Sequence, residues 1–273
     1  MLPSPGFKHL PAALSGDEVA ALDARINALI EGFSIEASTA VFSTRVKPKT
    51  RDRYFLDSAR GIAPFLEDGC VDTYGKLTRP KAECINKIGH ALHDFDPVFA
   101  ALGRHPAVVA ALHELADEPW LLMQSMVIMK PPGIGGEVRW HQDGTFLRDD
   151  QESVIGFWFA LEDADANNAC LQFKVDGHHD PVGEHFCVDH DSGNNRFEVV
   201  CTQTWPDTDG SEVCLAPCKA GDVLMFGGRI PHASSANRSE RSRRAITLHF
   251  RRANTKWAAD NWLQRGPLTD FVV

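Results

Sequence analysis

A chain of 273 residues that is 43% apolar and 24% charged can bury a sizeable core, as one large domain or two smaller ones. Its formal net charge of −9 argues against a general nucleic-acid binder, and no apolar run approaches the length of a membrane-crossing helix, so neither partner is expected. Seven cysteines at irregular gaps fit reduced thiols in a cytoplasmic protein better than a disulfide framework, and Cys214 with Cys218 lacks the second pair of a zinc ribbon.

The first residues show no cationic head before an apolar stretch, so no secretory signal is expected, and LTDFVV at the end carries no peroxisomal address. Ser15 followed by Glu18 is a capping box. The run Val19, Leu22, Ile26, Leu29, Ile30, Phe33 then keeps one apolar face at helical spacing. Residues 34–84 have weak periodicity and many charges, and read as loop with short elements. Within them Arg45, Lys47, Lys49, Arg51 and Arg53 recur at every second position. The plain reading is a solvated loop; the sharper one is an extended entrance that draws an anionic substrate. His90 and His93 are placed on one helix as structural residues. Another helix is predicted from Pro106, a residue suited to a first turn, through Val109, Leu112 and Leu115.

From about Trp120 the pattern changes. WLLMQSMVIMK, SVIGFWFALED, ACLQFKV, GDVLMFGG and RAITLHFRR are short apolar or alternating runs separated by Gly, Pro, Asn and Asp. Such strands predict a β-sandwich or barrel rather than a parallel α/β sheet. One domain is expected, mainly β with flanking helices. Its parts would be a mostly helical stretch (1–117), a β-core (118–252) and a tail (253–273).

The chemistry concentrates in VRWHQDGTFL and GGRIPHASS. In an extended segment residues i and i+2 share a face, so His141 and Asp143 reach a common point. His232, placed at the end of the GDVLMFGG strand, can supply a third ligand. Two imidazoles and one carboxylate on one face of an octahedron leave positions open for a chelating cosubstrate and O2, the arrangement of non-haem Fe(II) oxygenases. H-x-D alone is easily accidental. Arg243 adds to it, because in the last strand Arg243, Ala245 and Thr247 share one small, polar face, opposite Ile246, Leu248 and Phe250. That face suits a cavity, and a guanidinium clamps a carboxylate through two parallel hydrogen bonds.

HQDGTFL, GDVLMFGGRIPH and SSANRSERSRRAITLHF together resemble the phytanoyl-CoA dioxygenase family. INKIGHALHDFDPVF, QSMVIMKPPGIGGEV and the late Asn261-Trp262 resemble one subfamily within it, from roughly residue 80 to 262. The resemblance implies a double-stranded β-helix (jelly-roll, cupin-like) core, Fe(II), 2-oxoglutarate and O2, with oxidation of a small organic substrate and release of succinate and CO2. It places His141, Asp143 and His232 on the iron ligands and Arg243 on the residue holding the distal carboxylate of 2-oxoglutarate. Lys87, Met126, Trp158 and Ser234 fall on positions lining the cosubstrate site. Trp158, between Phe157 and Phe159, also reads as plain core. Two departures stand out: Asn168-Ala169-Cys170-Leu171 where the family often has N-G-C-L, and Val175-Asp176-Gly177-His178 in place of P-G-S-H. A carboxylate at 143, where related halogenases carry a small residue, favours oxygenation. The competing readings are a jelly-roll protein that binds metal and 2-oxoglutarate without turnover, and a zinc hydrolase, which would leave Arg243 unexplained.

Overall fold

The structure, a computed structural model, describes residues 4–35, 41, 53–206, 210, 212–266 and 268–273. The cationic row from Arg45 to Arg51 lies outside them; Arg53, its last member, opens the helix Arg53–Asp57 and pairs with Asp57 at 2.9 Å.

One large antiparallel sheet carries the architecture. Its strands run in the order Phe7–Leu10, Val223–Gly227, Ile155–Ala160, Arg243–Arg252, Trp120–Lys130, Ile85–His90, Ile62–Leu66, and Phe271–Val272 also pairs with Trp120–Lys130. A smaller sheet orders Val213–Ala216, Leu171–Lys174, His232–Ser234 and Val138–His141. Between the two sheets lies a buried cluster of Trp158, Leu224, Phe226 and Ala245 from the large sheet and Leu171, Phe173 and Ala216 from the small one. This is a jelly-roll core, with inner residues alternating along each strand.

The outer face of the large sheet is covered by helices. Phe157, Phe159, Ile246, Leu248 and Phe250 pack there with Leu22, Ile26 and Ile30 of the helix Gly16–Gly32 and with Leu112 of the helix Pro106–His113. The capping box forms as expected: Glu18 N–H donates to Ser15 Oγ at 3.3 Å, and Ser15 N–H to the Glu18 carboxylate at 2.8 Å. The helix from Pro106 also forms and ends at His113; its buried face is Val108, Ala111 and Leu112, in phase with Leu115 just beyond its end, and only Val109 lies off that face. No helix among the described residues is long and apolar enough to cross a membrane.

The stretch 1–117, expected mostly as helix, also contributes Phe7–Leu10, Ile62–Leu66 and Ile85–His90 to the large sheet. Lys87 and His90 therefore sit on a strand, and only His93 lies in a helix, Leu92–Phe95. The last strand keeps its expected faces. Arg244, on the helix side, bonds Asp23 at 2.6 Å and Asn27 at 2.8 Å.

Candidate active site

Pairing in the large sheet aligns residues from distant parts of the chain in rows across its concave face, because directly opposed residues share a face. One row reads Gly89, Met126, Thr247, Trp158, Leu224. The next reads Lys87, Ile128, Ala245, Ala160, and beyond it Lys130 stands opposite Arg243. Gly89 and Met126 pack closely: a Cβ at Gly89 would lie 3.2 Å from Met126 Cγ, and the methionine would have to give by a few tenths of an ångström. Lys87 is buried, with its Nζ 4.8 Å from the Phe65 ring centroid and 5.2 Å from that of Phe55.

His141 ends the strand Val138–His141, and Asp143 begins the turn Asp143–Thr145. His232 opens a strand of the small sheet rather than closing Val223–Gly227: the chain leaves the large sheet at Gly227-Gly228 and crosses before His232. There His232 pairs in register with His141. Their Nε2 atoms each lie 3.8 Å from Asp143 Oδ1, and the three ligand atoms lie within 4.8 Å of one another.

The orientation of both imidazoles is set locally. His141 Nδ1–H donates to the Arg139 carbonyl at 2.8 Å and His232 Nδ1–H to the Ile230 carbonyl at 3.1 Å. A carbonyl only accepts, so in the neutral form of each ring the lone pair is on Nε2, toward Asp143, the tautomer a metal requires. Gln142, fully buried between two of these residues, donates to the Pro181 and Arg229 carbonyls at 3.0 and 2.6 Å and accepts from Gly183 N–H at 3.0 Å. It ties the turn to the loop that precedes His232.

Charge in the cluster follows from burial and neighbours. Burial alone would push the Asp143 carboxyl up, but His249, His232 and His141 around it hold it well below its ordinary range. Burial, helped by His141, brings His232 down to about 4. A carboxylate facing two imidazoles through their Nε2 atoms is the donor set of a 2-His-1-carboxylate centre.

Arg243 is 1% exposed. Its Nη2 donates to Ser234 Oγ at 3.2 Å, its guanidinium carbon lies 5.4 Å from the Trp158 ring centroid, and Nε and Nη1 are buried without a partner. Burial lowers it to about 10, so it stays charged at neutral pH. A buried, charged, half-satisfied guanidinium is costly unless an anion completes it. Ser234 is oriented by its own bond to the Ala169 carbonyl at 2.9 Å.

The structure adds residues that motif spacing does not single out: Lys130, Gln142, Gly156 and His249. His249 is the one with a readable signal, since it continues the parity of Arg243, Ala245 and Thr247. His178 and His179 lie in the turn Gly177–His179 with ring centroids 3.9 Å apart and planes tilted by 41°. A second cluster, His9, Cys218 and Asp222, also brings ligand atoms within 4.8 Å. Asp222 there already accepts from Ala12 N–H at 2.8 Å and Lys219 N–H at 2.9 Å and bonds His9 at 2.9 Å, so it serves to pin the first strand to a turn. All seven cysteines are free thiols.

A family model described as phytanoyl-CoA dioxygenase (PhyH) matches residues 3–245. The chain belongs to the phytanoyl-CoA dioxygenase family. Among its relatives, a phytanoyl-CoA dioxygenase of Arabidopsis thaliana is 35% identical over 98% of this chain and 92% of its own length. The phytanoyl-CoA dioxygenase domain-containing protein 1 homolog of Caenorhabditis elegans is 36% identical over 95% of this chain and 92% of its own. The Danio rerio protein of that name is also 36% identical, over 95% of this chain and 91% of its own. With the membership comes a reaction class: this is a dioxygenase dependent on non-haem iron and 2-oxoglutarate. Two solved structures share its fold. The carbocyclase SnoK from nogalamycin biosynthesis has a TM-score of 0.65 at 19% identity, covering 96% of this chain and 85% of that one. The epimerase SnoN, in complex with Fe3+, alpha ketoglutarate and nogalamycin RO, has a TM-score of 0.63 at 17% identity, covering 97% and 88%.

Proposed function

We propose that this member of the family hydroxylates a small organic substrate, with His141, Asp143 and His232 holding Fe(II) and Arg243 with Ser234 holding the distal carboxylate of 2-oxoglutarate. Iron, 2-oxoglutarate and O2, when bound, supply the oxidant for a substrate C–H bond as the cosubstrate becomes succinate and CO2. The observation that carries the reading is the Arg243 guanidinium, buried beside the triad with two nitrogens unpartnered. Ser234 follows His232 by two residues on one strand, so the two contacts lie roughly 7 Å apart on the same face. That separation suits a five-carbon dicarboxylate chelated at one end and clamped at the other. Met126 and Trp158 would wall the cosubstrate, and Lys87, one row away, would add positive charge. Apolar side chains on the concave face exclude water and strengthen these charge contacts.

The test is succinate release. Protein given Fe(II), 2-oxoglutarate and O2 should form succinate slowly without substrate and faster with the right member of a metabolite panel. A hydroxylated product should appear in step with the faster release. Chelator should abolish release, and Fe(II) but not Zn(II) should restore it. Succinate at the no-enzyme background across pH and panel would overturn the reading in favour of a binding protein.

A further inference from the structure

The two oxygens of Asp143 are not equivalent. Oδ1 faces both imidazoles, at 3.8 Å from each Nε2, whereas Oδ2 accepts a hydrogen bond from His249 Nε2 at 3.1 Å. A charged carboxylate only accepts, so the proton sits on Nε2 of His249. The ring is 4% exposed, and its Nδ1 has no partner. Its strand neighbours on the same face are Gln124 on one side and Gly156 on the other. Gly156 leaves space for the pair: a Cβ there would lie 3.4 Å from both Asp143 Oδ2 and His249 Cδ2, and 3.2 Å from Phe226.

We propose that His249 is a positioning residue that holds Asp143 as a one-oxygen ligand. The inference rests on the triad reading above. An octahedral ion with three protein donor atoms keeps three positions open, two for a chelating keto acid and one for O2. A carboxylate that bound through both oxygens would take one of these. The Nε2–H of His249 occupies Oδ2 while the imidazoles face Oδ1, so the second oxygen stays off the metal. Such a bond to a charged acceptor also fixes the carboxylate plane. The residue touches neither cosubstrate nor metal; it acts through Asp143.

The test uses three variants and a redox-inert ion. His249→Phe keeps a ring of similar size without a donor. His249→Gln places an amide N–H near the position of Nε2, and His249→Asn, one bond shorter, does not reach it. Mn(II) affinity and 2-oxoglutarate affinity of the Mn(II)-loaded protein are measured by calorimetry, with the visible charge-transfer band of the anaerobic Fe(II) and 2-oxoglutarate complex as a second readout. Expected is a loss of 2-oxoglutarate affinity of about ten-fold or more in Phe and Asn, the scale of one charge-assisted hydrogen bond. The charge-transfer band should weaken with it, Mn(II) affinity should fall less than 2-oxoglutarate affinity, and Gln should recover most of the loss. Equal 2-oxoglutarate affinity in all four proteins would overturn the proposal. So would a loss that Gln fails to restore, since that is the mark of a packing role. Asp143→Ala separates this from the triad reading: if that variant binds Mn(II) as tightly as the parent, the triad reading itself fails.

Discussion

Lys130 and Arg243 face each other across paired strands, each 1% exposed, and neither has an ion pair among the described residues. Lys130 satisfies its ammonium with three carbonyls, those of Gly136 and Ser235 at 2.6 Å and Ser234 at 3.2 Å. Burial, and then Arg243, push its pKa well below the ordinary lysine range. The two cations thus do different work. Lys130 fastens the strand bearing His232 and Ser234 to the large sheet, and Arg243 has two buried donors left unpartnered.

Lys130→Met removes the fastener and leaves three buried carbonyls short of a donor. The expected cost is about 2–4 kcal/mol, read by denaturant unfolding of the metal-free protein. Stability unchanged within about 0.5 kcal/mol would show that the carbonyls find other partners.

Arg243→Ala should raise the apparent 2-oxoglutarate constant by roughly two orders of magnitude, because charge-assisted bonds are lost and a carboxylate is stranded. Arg243→Lys should recover only part, since an ammonium lacks the planar fork. Metal affinity should stay nearly constant. Arg244→Ala is the control: its side chain bonds Asp23 and Asn27 on the outer face, so it should lose some stability and no cosubstrate affinity. Calorimetry on Mn(II)-loaded protein decides, and a larger loss at Arg244 than at Arg243 would reverse the assignment.

What the residue pattern discloses is whatever is local. Parity along Arg243–Arg252 places Arg243 and Thr247 inside and Ile246 outside, and the structure agrees. The i, i+2 spacing of His141 and Asp143 likewise puts both on one point. Parity also reaches His249, but its meaning depends on Asp143, which is distant in sequence and close only after folding. His232 lies on a different strand from the one its motif suggests, because Gly227-Gly228 lets the chain change sheets without interrupting the apolar run. Ile62–Leu66 and Ile85–His90 escape notice for a related reason. They pair with each other and with Trp120–Lys130, and no local period records that partner.

Ala169 is a departure from the family pattern with a measurable cost. It adopts φ +70 where the family often carries glycine, while its neighbour Asn168 holds the turn through the Asp163 and Ser242 carbonyls at 2.7 and 3.1 Å. The left-handed region is strained for any residue with a Cβ. Ala169→Gly should therefore stabilise the protein by about 0.5–1 kcal/mol, with the gain limited by glycine's greater freedom in the unfolded chain. Ala169 also presents its carbonyl to Ser234, so 2-oxoglutarate affinity should hold or improve. A loss of stability in the glycine variant would mean that the methyl group contributes more by packing than the backbone loses by strain.

The last prediction concerns pH and a buried histidine away from the cluster of His141, Asp143 and His232. Burial, with Arg265 acting in the same direction and Asp94 against it, brings His93 down from an ordinary 6.5 to about 4. Arg265 Nη1 donates to His93 Nε2 at 2.9 Å, which leaves the proton on Nδ1, where it bonds Ser125 Oγ at 2.7 Å. Arg265 also bonds Asp94 at 2.7 Å and the Thr269 carbonyl at 2.7 Å, so the network docks the C-terminal segment against the sheet. The sign is set by which state takes up the proton first. Between pH 6.5 and 4 the unfolded chain binds a proton at His93 and the folded protein does not, so stability falls as pH falls through that window. The full effect is about 3 kcal/mol, nearly all of it present above pH 7. His232, depressed by burial as well, adds a decline of the same sign, but it does so equally in a variant at position 93 and subtracts out. His93→Gln keeps groups able to bond Ser125 and Arg265 but cannot titrate. In denaturant unfolding of metal-free protein, its loss of stability from about pH 7.5 to about pH 4.5 should be smaller than the parent's by about 2–3 kcal/mol. Parallel pH profiles for the two proteins would show that His93 takes up its proton at the same pH in the folded and unfolded chains and that the Arg265 contact does not hold it neutral.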